Sequence, residues 1–539
     1  MASLTIRNLS TTPLELTLVE RFEASSARTS GRGAVWGLLR LSSSLVGSGG
    51  GGRCVPLATM RSMHGSGHNG LLPRTGEPPF ARDEVTGVRV APFASQLTYI
   101  RAADPEREVL RLTFAAEIAR KRPSTQQLET VIRRYTVDIP AASPRSIELR
   151  PLDAEQDGPR PDDPGSIDAA ATPAFTAVYS VHGAHLAVMS SAALGSWMAT
   201  VDGTWPLSSL SLPGTHNSPA CYMAMPSVRC QAVDVPTQLA NGVRFVDVRV
   251  NATAHAHPHA DPRMALVHGA FAVSVAGPTW FANLYGSVCA FLEAHPTETV
   301  LMSIKREGSG RGTDADVARN LLGCYVQPRP DRWYTRPQIP TLDEARGRIV
   351  LVRRFCLPLD DAAFRQPDGR VGWGIDGSDW PDNCAHGIAA EGRLHLQDYY
   401  GVNVASSIQR KIEYARAHFE RAASQHFPAS KTIAGAAAAA AVTTTAAAAA
   451  CPPIFLNFLS GSNFFNKSCW PERIAARVNP AAIEYLCMRH GVAAQGPANL
   501  DVGDGSTGIV VTDWVGLDGD WDLVRCIVAW NARLQLKQQ

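Results

Sequence analysis

The sequence carries almost no excess of charge of either sign. Its 539 residues include 51 Lys and Arg against 49 Asp and Glu, which gives a formal net charge of +2. Proteins that hold nucleic acid need a basic surface field, and nothing in this balance supplies one. We therefore expect no nucleic-acid partner. The 45% of apolar residues is instead typical of a globular chain with ample core material.

Segments that would direct the chain into or across a membrane are also missing. No run of 18 apolar residues is present to form a spanning helix. The opening MASLTIRNLSTTPLELTLVERFEA has no basic region followed by an apolar one, as a secretory signal would. The 11 scattered cysteines form no C-x-x-C pair, which favours reduced thiols over a disulfide scaffold or a zinc site. These absences predict a cytoplasmic protein that is at most peripheral at membranes.

What the chain does contain changes in character near residue 200. Residues 1–195 hold short segments of alternating apolar and polar residues, such as LELTLVERF and EVLRLTFAAEI, separated by turn-rich stretches. Alternation with this spacing predicts a β-rich, sandwich-like domain. The glycine run at 48–52 and the Pro- and Asp-rich stretch at 153–166 predict loops. No catalytic cluster is evident in this domain, and its role stays open.

Residues 200–539 alternate between strand and helix patterns. Segments such as FVDVRV and TVLMSIK are apolar enough to be strands buried on both faces. Eight candidate strands, from PLSSLSL to GIVVTDWV and including MALVHG as the third, are separated by helical patterns. This arithmetic predicts a distorted TIM-type β/α barrel. An Ala-rich, low-complexity insertion at 434–450 precedes the seventh strand and fits either helix or disorder.

Polar residues recur where the predicted barrel strands end. They are His216, Asn217, Asp247, Arg249, His268, Lys305, Arg354, Asp398, Tyr400 and Asp513. Catalytic groups of β/α barrels come from the carboxyl ends of the strands, so we expect these side chains to share one rim. Each has an ordinary alternative when taken alone, since a polar residue after a strand is often structural or a helix cap. Their coincidence across several strands favours a functional site.

The residue types indicate acid–base chemistry on an anion. Two histidines can act as base and acid near neutral pH, and a carboxylate such as Asp513 can hold one imidazole in the required tautomer. Arg249, Lys305 and Arg354 can neutralise charge, and arginine grips phosphate with paired donors. The combination suits in-line displacement at a phosphodiester by an internal hydroxyl. No P-loop or dinucleotide fingerprint accompanies it.

The order of the short motifs resembles one known family. Residues 205–535 resemble the catalytic X domain of phosphatidylinositol-specific phospholipase C, through LPGTHNS, GVRFVDVRV, LVHG, FLEAHPTETVLMSIKRE, ARGRIVLVRRF, WPDN, LQDYY, FLNFLSG and VVTDWV. The resemblance is closer to the bacterial single-domain enzymes than to the calcium-dependent eukaryotic ones. It does not reach the N-terminal region.

The resemblance implies an incompletely closed barrel that cleaves phosphatidylinositol to diacylglycerol and inositol 1,2-cyclic phosphate, without a metal or other cofactor. It also implies that His216 is the general base for the inositol 2-hydroxyl, that Asp513 orients this base, and that His268 is the general acid for the diacylglycerol oxygen. Arg249 would stabilise the pentavalent phosphate, with Asp247 in the same hydrogen-bonding set. The implied inositol-binding positions are Lys305, Arg354, Asp398 and Tyr400.

One departure from the family pattern affects the expected activity. The bacterial enzymes carry Asp after the motif histidine, where this chain has Asn217. In the family that carboxylate supports the acid, so an amide predicts a less elevated pKa for the acid. Two other readings stay open: a catalytically weak inositol-lipid-binding protein, and a phosphodiesterase for another phospholipid. The spacing of His255, His257 and His259 resembles a metal site but lacks supporting acids, so no metal is expected there.

Overall fold

The computed structural model describes residues 2–24, 77–104, 107–121, 128–140, 145–152, 173–181, 183–252, 264–358, 360–365, 372–427 and 451–538. These residues form two compact units. The first takes most of the described chain up to Val188, and the second takes Leu9–Thr11 and the described chain from Met189 onwards. The candidate site residues all lie in the second unit.

The first unit is built from strands in two sheets. The strands are β1 Ser3–Leu9, β2 Leu14–Glu23, β3 Ala81–Glu84, β4 Arg89–Val90, β5 Ser95–Arg101, β6 Glu108–Lys121, β7 Leu128–Ile139, β8 Ile147–Glu148, β9 Arg150–Pro151, β10 Phe175–Ser180 and β11 His185–Ser190. One sheet has the order β5-β1-β11-β10-β8, and the other has the order β3-β2-β6-β7-β9, with β4 also on β2. The expected β-rich N-terminal region is therefore confirmed.

Both sheets contribute side chains to one apolar core. Leu4 and Ile6 of β1 belong to the same buried cluster as Leu112 and Phe114 of β6, and all four are fully buried. These residues alternate along their strands, so one face of each sheet turns inward. Two sheets that share a core in this way form a sandwich.

The second unit contains one twelve-stranded sheet. Its strands are β12 Leu212–Thr215, β13 Phe245–Ala252, β14 Met264–His268, β15 Phe271–Ala272, β16 Val300–Arg306, β17 Trp333–Tyr334, β18 Ile349–Arg354, β19 Ile375–Asp376, β20 Gly387–Ala389, β21 Leu394–Gln397, β22 Ile454–Phe458 and β23 Ile509–Thr512. The central strands run parallel in the order β18-β16-β13-β12-β23-β22-β21. Within the described chain no ladder joins β18 to β21, so the predicted barrel is present but not closed.

The prediction of eight equivalent barrel strands is wrong at MALVHG. This segment forms β14, which pairs antiparallel with β13 through Val250 and Leu266 instead of following a helical crossover. An alternating or apolar segment specifies a strand but not its direction, which depends on the connection that precedes it. The first strand also lies later in the chain than predicted, because Leu207–Ser209 form a 3₁₀ turn and β12 shares only Leu212 with the segment PLSSLSL.

Helices connect the parallel strands. They are α1 Val235–Ala240, α2 Phe281–Ala294, α3 Asp314–Leu321, α4 Leu342–Ala345, α5 Ser407–Ala423, α6 Pro471–Met488, α7 Asp522–Ala529 and α8 Ala532–Leu536. The α2 residues Leu284, Val288 and Leu292 recur at every fourth position and are buried in the cluster that includes β13 and β16. This spacing places them on one helical face. A capping box of Thr313 and Asp316 begins α3.

Some sequence expectations are not addressed by the described residues. The loops at 48–52 and 153–166, the three histidines of the HAHPH segment and the Ala-rich insertion at 434–450 all lie outside them. None of the described helices has the length and apolar character needed to cross a membrane. The cytoplasmic placement stays a prediction. The expectation of reduced thiols is wrong at Cys221, which is disulfide-bonded, because spacing along the chain does not reveal which thiols meet in space.

Candidate active site

The pairing of β12 with β23 brings the first two site residues together. The strands run parallel with Thr215 opposite Thr512, so the residues that follow them leave the same edge of the sheet side by side. His216 and Asp513 are these residues, and Nδ1 of the imidazole lies 2.9 Å from Oδ1 of the carboxylate. Both side chains are buried. The geometry is that of a histidine held by a carboxylate in one tautomer.

Gln231 fixes the backbone around this pair. Its Nε2 donates to the carbonyls of His216 at 2.7 Å and Thr512 at 3.0 Å, and it lies 3.4 Å from Oδ1 of Asp513. Burial lowers the pKa of His216 well below its usual value, and the positive charge of Arg249 adds to this effect. The imidazole is therefore neutral at neutral pH. With Nδ1–H donated to Asp513, Nε2 is left unprotonated and able to accept a proton.

His268 ends β14 next to the first imidazole. The centroids of the His216 and His268 rings lie 5.4 Å apart. Nδ1 of His268 is 2.9 Å from the carbonyl oxygen of Val228, to which it can donate. Burial lowers the pKa of His268 to about 4, with Arg249 adding to the shift. The two rings thus present two Nε2 atoms to one small space.

Asn217 is buried below the histidines and does not supply a charge. Its backbone N–H donates to Oδ2 of Asp247 at 3.1 Å, and its side-chain Nδ2 donates to the carbonyl of Val267 at 3.1 Å. The backbone of Asn217 adopts a positive φ of 36°, a region that asparagine tolerates better than most residues. The amide therefore supports the strand that carries His268 instead of bonding to the imidazole itself.

Asp247 and Arg249 form the centre of a charged network. They alternate on β13 and point to the same face. Nε of Arg249 lies 3.2 Å from Oδ2 of Asp247. Burial opposes ionisation of Asp247, but Arg249 and Arg354 outweigh it and lower the pKa of this carboxyl. A buried carboxylate between two guanidinium groups fixes both of them in place.

Glu307 completes the network on the other side of the arginine. It follows β16 and accepts from Arg249 at 3.1 Å, from Lys305 at 2.9 Å and from the backbone N–H of Gly269 at 2.8 Å. Burial works against its ionisation, but Arg249 and Lys305 lower the pKa of Glu307 to about 2. The bond to Gly269 ties β16 to the turn directly after His268.

Arg354 and Asp398 lie at the far side of the same rim. The Arg354 guanidinium carbon sits 3.8 Å from the centroid of the Trp380 ring, so the cation stacks on the indole. Its NH1 is 3.4 Å from Oδ1 of Asp247 and its NH2 is 3.9 Å from Oδ2 of Asp398. Nε1 of Trp380 donates to Asp398 at 3.0 Å. Burial raises the pKa of Asp398, while Arg354 opposes this shift.

Tyr400 lies at the edge of the site and is 41% exposed. Its hydroxyl donates to the carboxylate of Asp382 at 2.9 Å, and its backbone N–H donates to Oδ1 of Asn383 at 3.0 Å. Its side chain is therefore held near the protein surface by the segment that contains Asp382 and Asn383. Nine of the ten sequence-predicted residues are joined by the contacts above, and Tyr400 lies two residues after Asp398 in the segment that follows β21.

Sequence reasoning missed Gln231, Glu307 and Trp380. Glu307 could have been found, because it lies two positions after Lys305 and side chains at that spacing share a face of an extended chain. Trp380 belongs to the WPDN motif, but a tryptophan gives no signal of which cation it will meet. Gln231 lies in an irregular segment between β12 and α1, where no periodicity predicts direction.

The arrangement can carry out proton transfer beside a bound anion. Two neutral imidazoles face one space, one is oriented by a carboxylate, and Arg249 supplies a fixed positive charge nearby. The cation–indole pair and the buried carboxylate on the other side offer donors and acceptors for hydroxyl groups. A phosphodiester whose alcohol carries further hydroxyls matches this arrangement: the phosphate fits beside the histidines and Arg249, and the hydroxyls fit beside Arg354 and Asp398.

Part of the chain is similar in sequence to known proteins. Residues 204–355 match the family model of the phosphatidylinositol-specific phospholipase C X domain. The 1-phosphatidylinositol phosphodiesterase of Listeria monocytogenes is 25% identical over 186 residues, which cover 32% of this chain and 53% of that protein. The protein of the same name from Staphylococcus aureus strain Newman is 26% identical over 240 residues, 41% of this chain and 71% of that protein. The chain thus spans about half the length of the Listeria relative.

A human protein and solved structures are also similar to parts of this chain. PI-PLC X domain-containing protein 1 of Homo sapiens is 26% identical over 177 residues, 27% of this chain and 51% of that protein. A phosphatidylinositol-specific phospholipase C structure from S. aureus is 22% identical, covers 62% of this chain and 97% of its own, and has a TM-score of 0.45. The Listeria enzyme structure is 18% identical, with coverage of 62% and 98% and a TM-score of 0.41. The family resemblance inferred from the motifs is confirmed by the family-model and sequence matches.

Proposed function

We propose that this protein, whose residues 204–355 match the X domain of phosphatidylinositol-specific phospholipase C, cleaves phosphatidylinositol to diacylglycerol and inositol 1,2-cyclic phosphate. The observation that carries the proposal is the His216–Asp513 pair beside the second imidazole of His268. Inositol lipids place a hydroxyl next to the phosphodiester, so the substrate brings its own nucleophile. The site then needs only a base, an acid and a side chain that binds the phosphate anion.

His216 serves as the base in this reaction. Its Nε2 takes the proton of the inositol 2-hydroxyl while the oxygen attacks phosphorus, and the resulting imidazolium is stabilised by Asp513. The bond from phosphorus to the diacylglycerol oxygen breaks on the opposite side. His268 gives its proton to that leaving oxygen.

The acid role of His268 depends on the bound phosphate. Burial lowers the pKa of His268 to about 4, so the imidazole is neutral at pH 7 without a bound anion. A phosphodiester anion beside it favours the protonated form and raises this pKa. Arg249 binds the same phosphate and stabilises the charge that develops in the transition state. Substrate binding and acid protonation are thus coupled.

The inositol ring is bound by the other half of the site. Arg354 and Asp398 provide a donor and an acceptor for ring hydroxyls, and Lys305 adds a donor at the opposite edge. Tyr400 presents its ring at the opening, where it can stack on the apolar face of inositol. These side chains favour a polyhydroxylated head group over glycerol, which has fewer hydroxyls, and over choline, which has no free hydroxyl in the phosphodiester.

Catalysis requires no metal in this proposal. Arg249 puts a permanent charge where a cation would otherwise contact the phosphate. Its own charge is balanced by Asp247 and Glu307, at 3.2 and 3.1 Å. Activity in excess chelator is the expected result, with loss of activity in Arg249→Ala. Strict calcium dependence of the unmutated protein would contradict this part of the proposal.

A cluster of exposed apolar side chains suits binding at a membrane surface. We call it the rim surface: Met223, Phe271, Val275, Phe464 and Phe465, all exposed. The Phe271 and Phe464 rings stack with centroids 5.7 Å apart, and the backbone N–H of Val275 donates to the carbonyl of Met223 at 3.0 Å. Its loops follow β12, β14 and β22, the strands that carry or flank the two histidines. The substrate's acyl chains would remain in the bilayer below this surface.

The deciding experiment is to incubate the purified protein with phosphatidylinositol vesicles in chelator and to identify phosphorus products by ³¹P NMR. Inositol 1,2-cyclic phosphate is the expected product. His216→Ala and His268→Ala should each lower turnover by ~10²–10⁴-fold with an unchanged circular dichroism spectrum. Near-normal turnover in both variants would rule out the two-histidine mechanism.

A second candidate is a catalytically weak inositol-lipid-binding protein. The observation that favours it is Asn217, whose buried amide leaves the acid without a supporting carboxylate. The same experiment separates the two functions. Saturable binding to phosphatidylinositol vesicles without any cyclic phosphate would support the binding protein and exclude the enzyme.

A further inference from the structure

A cysteine lies beside the two histidines of the site. Cys230 Sγ is 3.5 Å from Nδ1 of His268, and Cys230 is a free, buried thiol. One ring nitrogen of His216, one of His268 and the Cys230 sulfur lie within 4.8 Å of one another. In the part of the chain that the structure describes, this is the one group of three histidine, cysteine or acidic residues with such spacing.

The group matches the ligands of a soft or borderline cation. Zn²⁺ is bound by imidazole nitrogen at about 2.0–2.1 Å and by thiolate at about 2.3 Å, so tetrahedral ligands are roughly 3.3–3.6 Å apart. The observed upper limit of 4.8 Å is about 1.2 Å wider, which side-chain rotation can close. Three protein ligands would leave a fourth position open to water.

The surroundings also hold the His216 imidazole as metal sites do. Nδ1 of His216 faces the carboxylate of Asp513 at 2.9 Å, and Nδ1 of His268 faces the carbonyl of Val228 at 2.9 Å. A metal-bound histidine almost always donates its other N–H to a carboxylate or carbonyl. His216 therefore has Nε2 available as a ligand, whereas the His268 nitrogen beside the Cys230 sulfur is Nδ1, at 3.5 Å.

The nearby charges do not exclude a cation. Arg249 is the closest positive group, but it forms ion pairs with Asp247 at 3.2 Å and Glu307 at 3.1 Å. Oδ2 of Asp513 is buried and has no hydrogen-bond partner among the described residues. Two nitrogens and a sulfur suit Zn²⁺ and are poor ligands for Ca²⁺ or Mg²⁺, which prefer oxygen.

We propose that His216, Cys230 and His268 form a Zn²⁺ site whose occupation inhibits the enzyme. The ion takes Nε2 of His216, the atom that the base needs, and Nδ1 of His268, whose proton moves to Nε2 of the same ring. The Cys230 thiol releases its proton to solvent when it ligates. Zn²⁺ is an inhibitor in this proposal and not a cofactor. The inhibitory consequence rests on the proposed function, whereas the binding site does not.

Binding is tested first, on the full chain and without substrate. Titration of the chelator-treated, desalted protein with Zn²⁺ by calorimetry should show one site. Loss of a residue that only hydrogen-bonds to a metal ligand typically lowers metal affinity ~10–100-fold. Cys230→Ser and His268→Gln remove ligands themselves, so each should weaken Zn²⁺ binding by at least this factor. The control is Cys324→Ser, which removes an exposed cysteine and should bind Zn²⁺ like the unmutated protein.

Inhibition is tested second, by the release of inositol phosphate at increasing free Zn²⁺. The unmutated protein and Cys324→Ser should lose half of their activity at the same concentration of free Zn²⁺. Cys230→Ser should need at least tenfold more Zn²⁺ to lose half of its own zinc-free rate. Equal Zn²⁺ affinity in Cys230→Ser and the unmutated protein would overturn the site. Absence of cleavage in chelator would instead overturn the proposed function, while the calorimetric result would stand. Circular dichroism of each variant confirms that lost binding is not lost folding.

Discussion

The amide of Asn217 forms a hydrogen bond next to the proposed acid but brings no charge to the site. Its Nδ2 donates to the carbonyl of Val267 at 3.1 Å, next to the proposed acid His268. Its Oδ1 is buried and has no partner within the described residues. Burying an oxygen without a hydrogen-bond donor costs less for an uncharged amide than for a carboxylate. Asparagine therefore suits this position better than aspartate does.

Asn217→Asp should raise the pKa of His268, because a carboxylate near an imidazole favours its charged form. We expect the alkaline limb of the pH–rate profile for phosphatidylinositol cleavage to move upward. The variant should also melt at a lower temperature, because the new oxygen faces the Val267 carbonyl without a proton to donate. Rate profiles and melting curves between pH 5 and 9 test both effects. An unchanged profile would mean that residue 217 does not couple to the acid.

At the residue scale, the sequence predicted the groups that directly follow strands. His216 and Asp513 could be placed together because parallel strands end at one edge. The supporting residues were less accessible. Gln231 acts from an irregular segment, and the role of Glu307 depends on which cations reach it. Cys230 was counted only as a thiol, since nothing in its spacing reveals the imidazole 3.5 Å from its sulfur.

At the scale of single elements, α5 supports the loop that carries the inositol-binding residues. Lys411 of this helix is fully buried and donates to Oε1 of Gln397 at 3.1 Å and to the carbonyl of Tyr399 at 2.7 Å. Gln397 in turn donates to Oδ1 of Asn457 at 2.9 Å. The loop with Asp398 is therefore fixed by a buried amine. Burial lowers the pKa of Lys411 to about 7, while Asp398 opposes the shift.

Lys411→Met should change both stability and substrate binding. Between pH 7 and 10.5 the unfolded chain holds the Lys411 proton and the folded chain does not, so stability contributed by this group rises with pH across that window. The variant should show a smaller rise in melting temperature from pH 7 to 10 than the unmutated protein. KM should increase about fivefold, the equivalent of about 1 kcal/mol for one positioning hydrogen bond, with a smaller change in kcat.

The control for this variant is Lys467→Met, which removes an exposed lysine. It should leave the pH dependence of the melting temperature unchanged. If Lys411→Met also leaves that dependence unchanged, the buried amine is not the group that titrates. A change in kcat alone, without a change in KM, would contradict the positioning role.

The loops of the rim surface make a separate prediction about where the substrate is met. Phe465 is 94% exposed and would enter a bilayer if the surface faces it. Phe465→Ser should weaken binding to phosphatidylinositol vesicles about tenfold, because partial burial of a phenylalanine stabilises by about 1.4 kcal/mol. Cleavage of detergent-dispersed substrate should be unaffected. Sedimentation with vesicles and the two activity assays provide the measurements.

Ile388→Ser is the matched control for this test. Ile388 is 54% exposed and lies on β20 opposite His395, away from the strand ends that carry the site. Equal losses of vesicle binding in Phe465→Ser and Ile388→Ser would mean that the rim surface has no special part in membrane contact.

The elements themselves were predicted more accurately than their arrangement. The apolar segments FVDVRV and TVLMSIK form β13 and β16, which lie side by side in the barrel. The direction of β14 was wrong, because an isolated strand pattern is the same in parallel and antiparallel sheets. His268 nevertheless reaches the first imidazole, since antiparallel return brings the end of β14 back toward the middle of β13.

At the scale of the whole molecule, the sequence showed a change of pattern near residue 200, and the structure groups the chain from Met189 onwards into one unit. The segment just after Met189 is bound to that unit by direct contacts. NH2 of Arg244 donates to the carbonyls of Leu194 and Gly195 at 3.2 and 2.9 Å, and Nε1 of Trp197 donates to Gly242 at 3.1 Å. A truncated chain should therefore begin no later than Met189.

We expect a chain that begins at Met189 to fold and to cleave detergent-dispersed phosphatidylinositol with an unchanged kcat/KM, because every proposed catalytic group and its partners lie beyond that residue. Cleavage of vesicles should fall if the N-terminal sandwich is a membrane-facing module. Cys221 is disulfide-bonded. The truncated and full-length proteins should therefore both carry Cys221→Ser, so that the state of this residue is the same in the two proteins being compared. Circular dichroism, thermal melting and the two assays make the comparison. An unfolded truncated chain would show that the two regions depend on a shared core, whereas a folded chain with equal activity on both substrates would assign the sandwich a role unconnected with membranes.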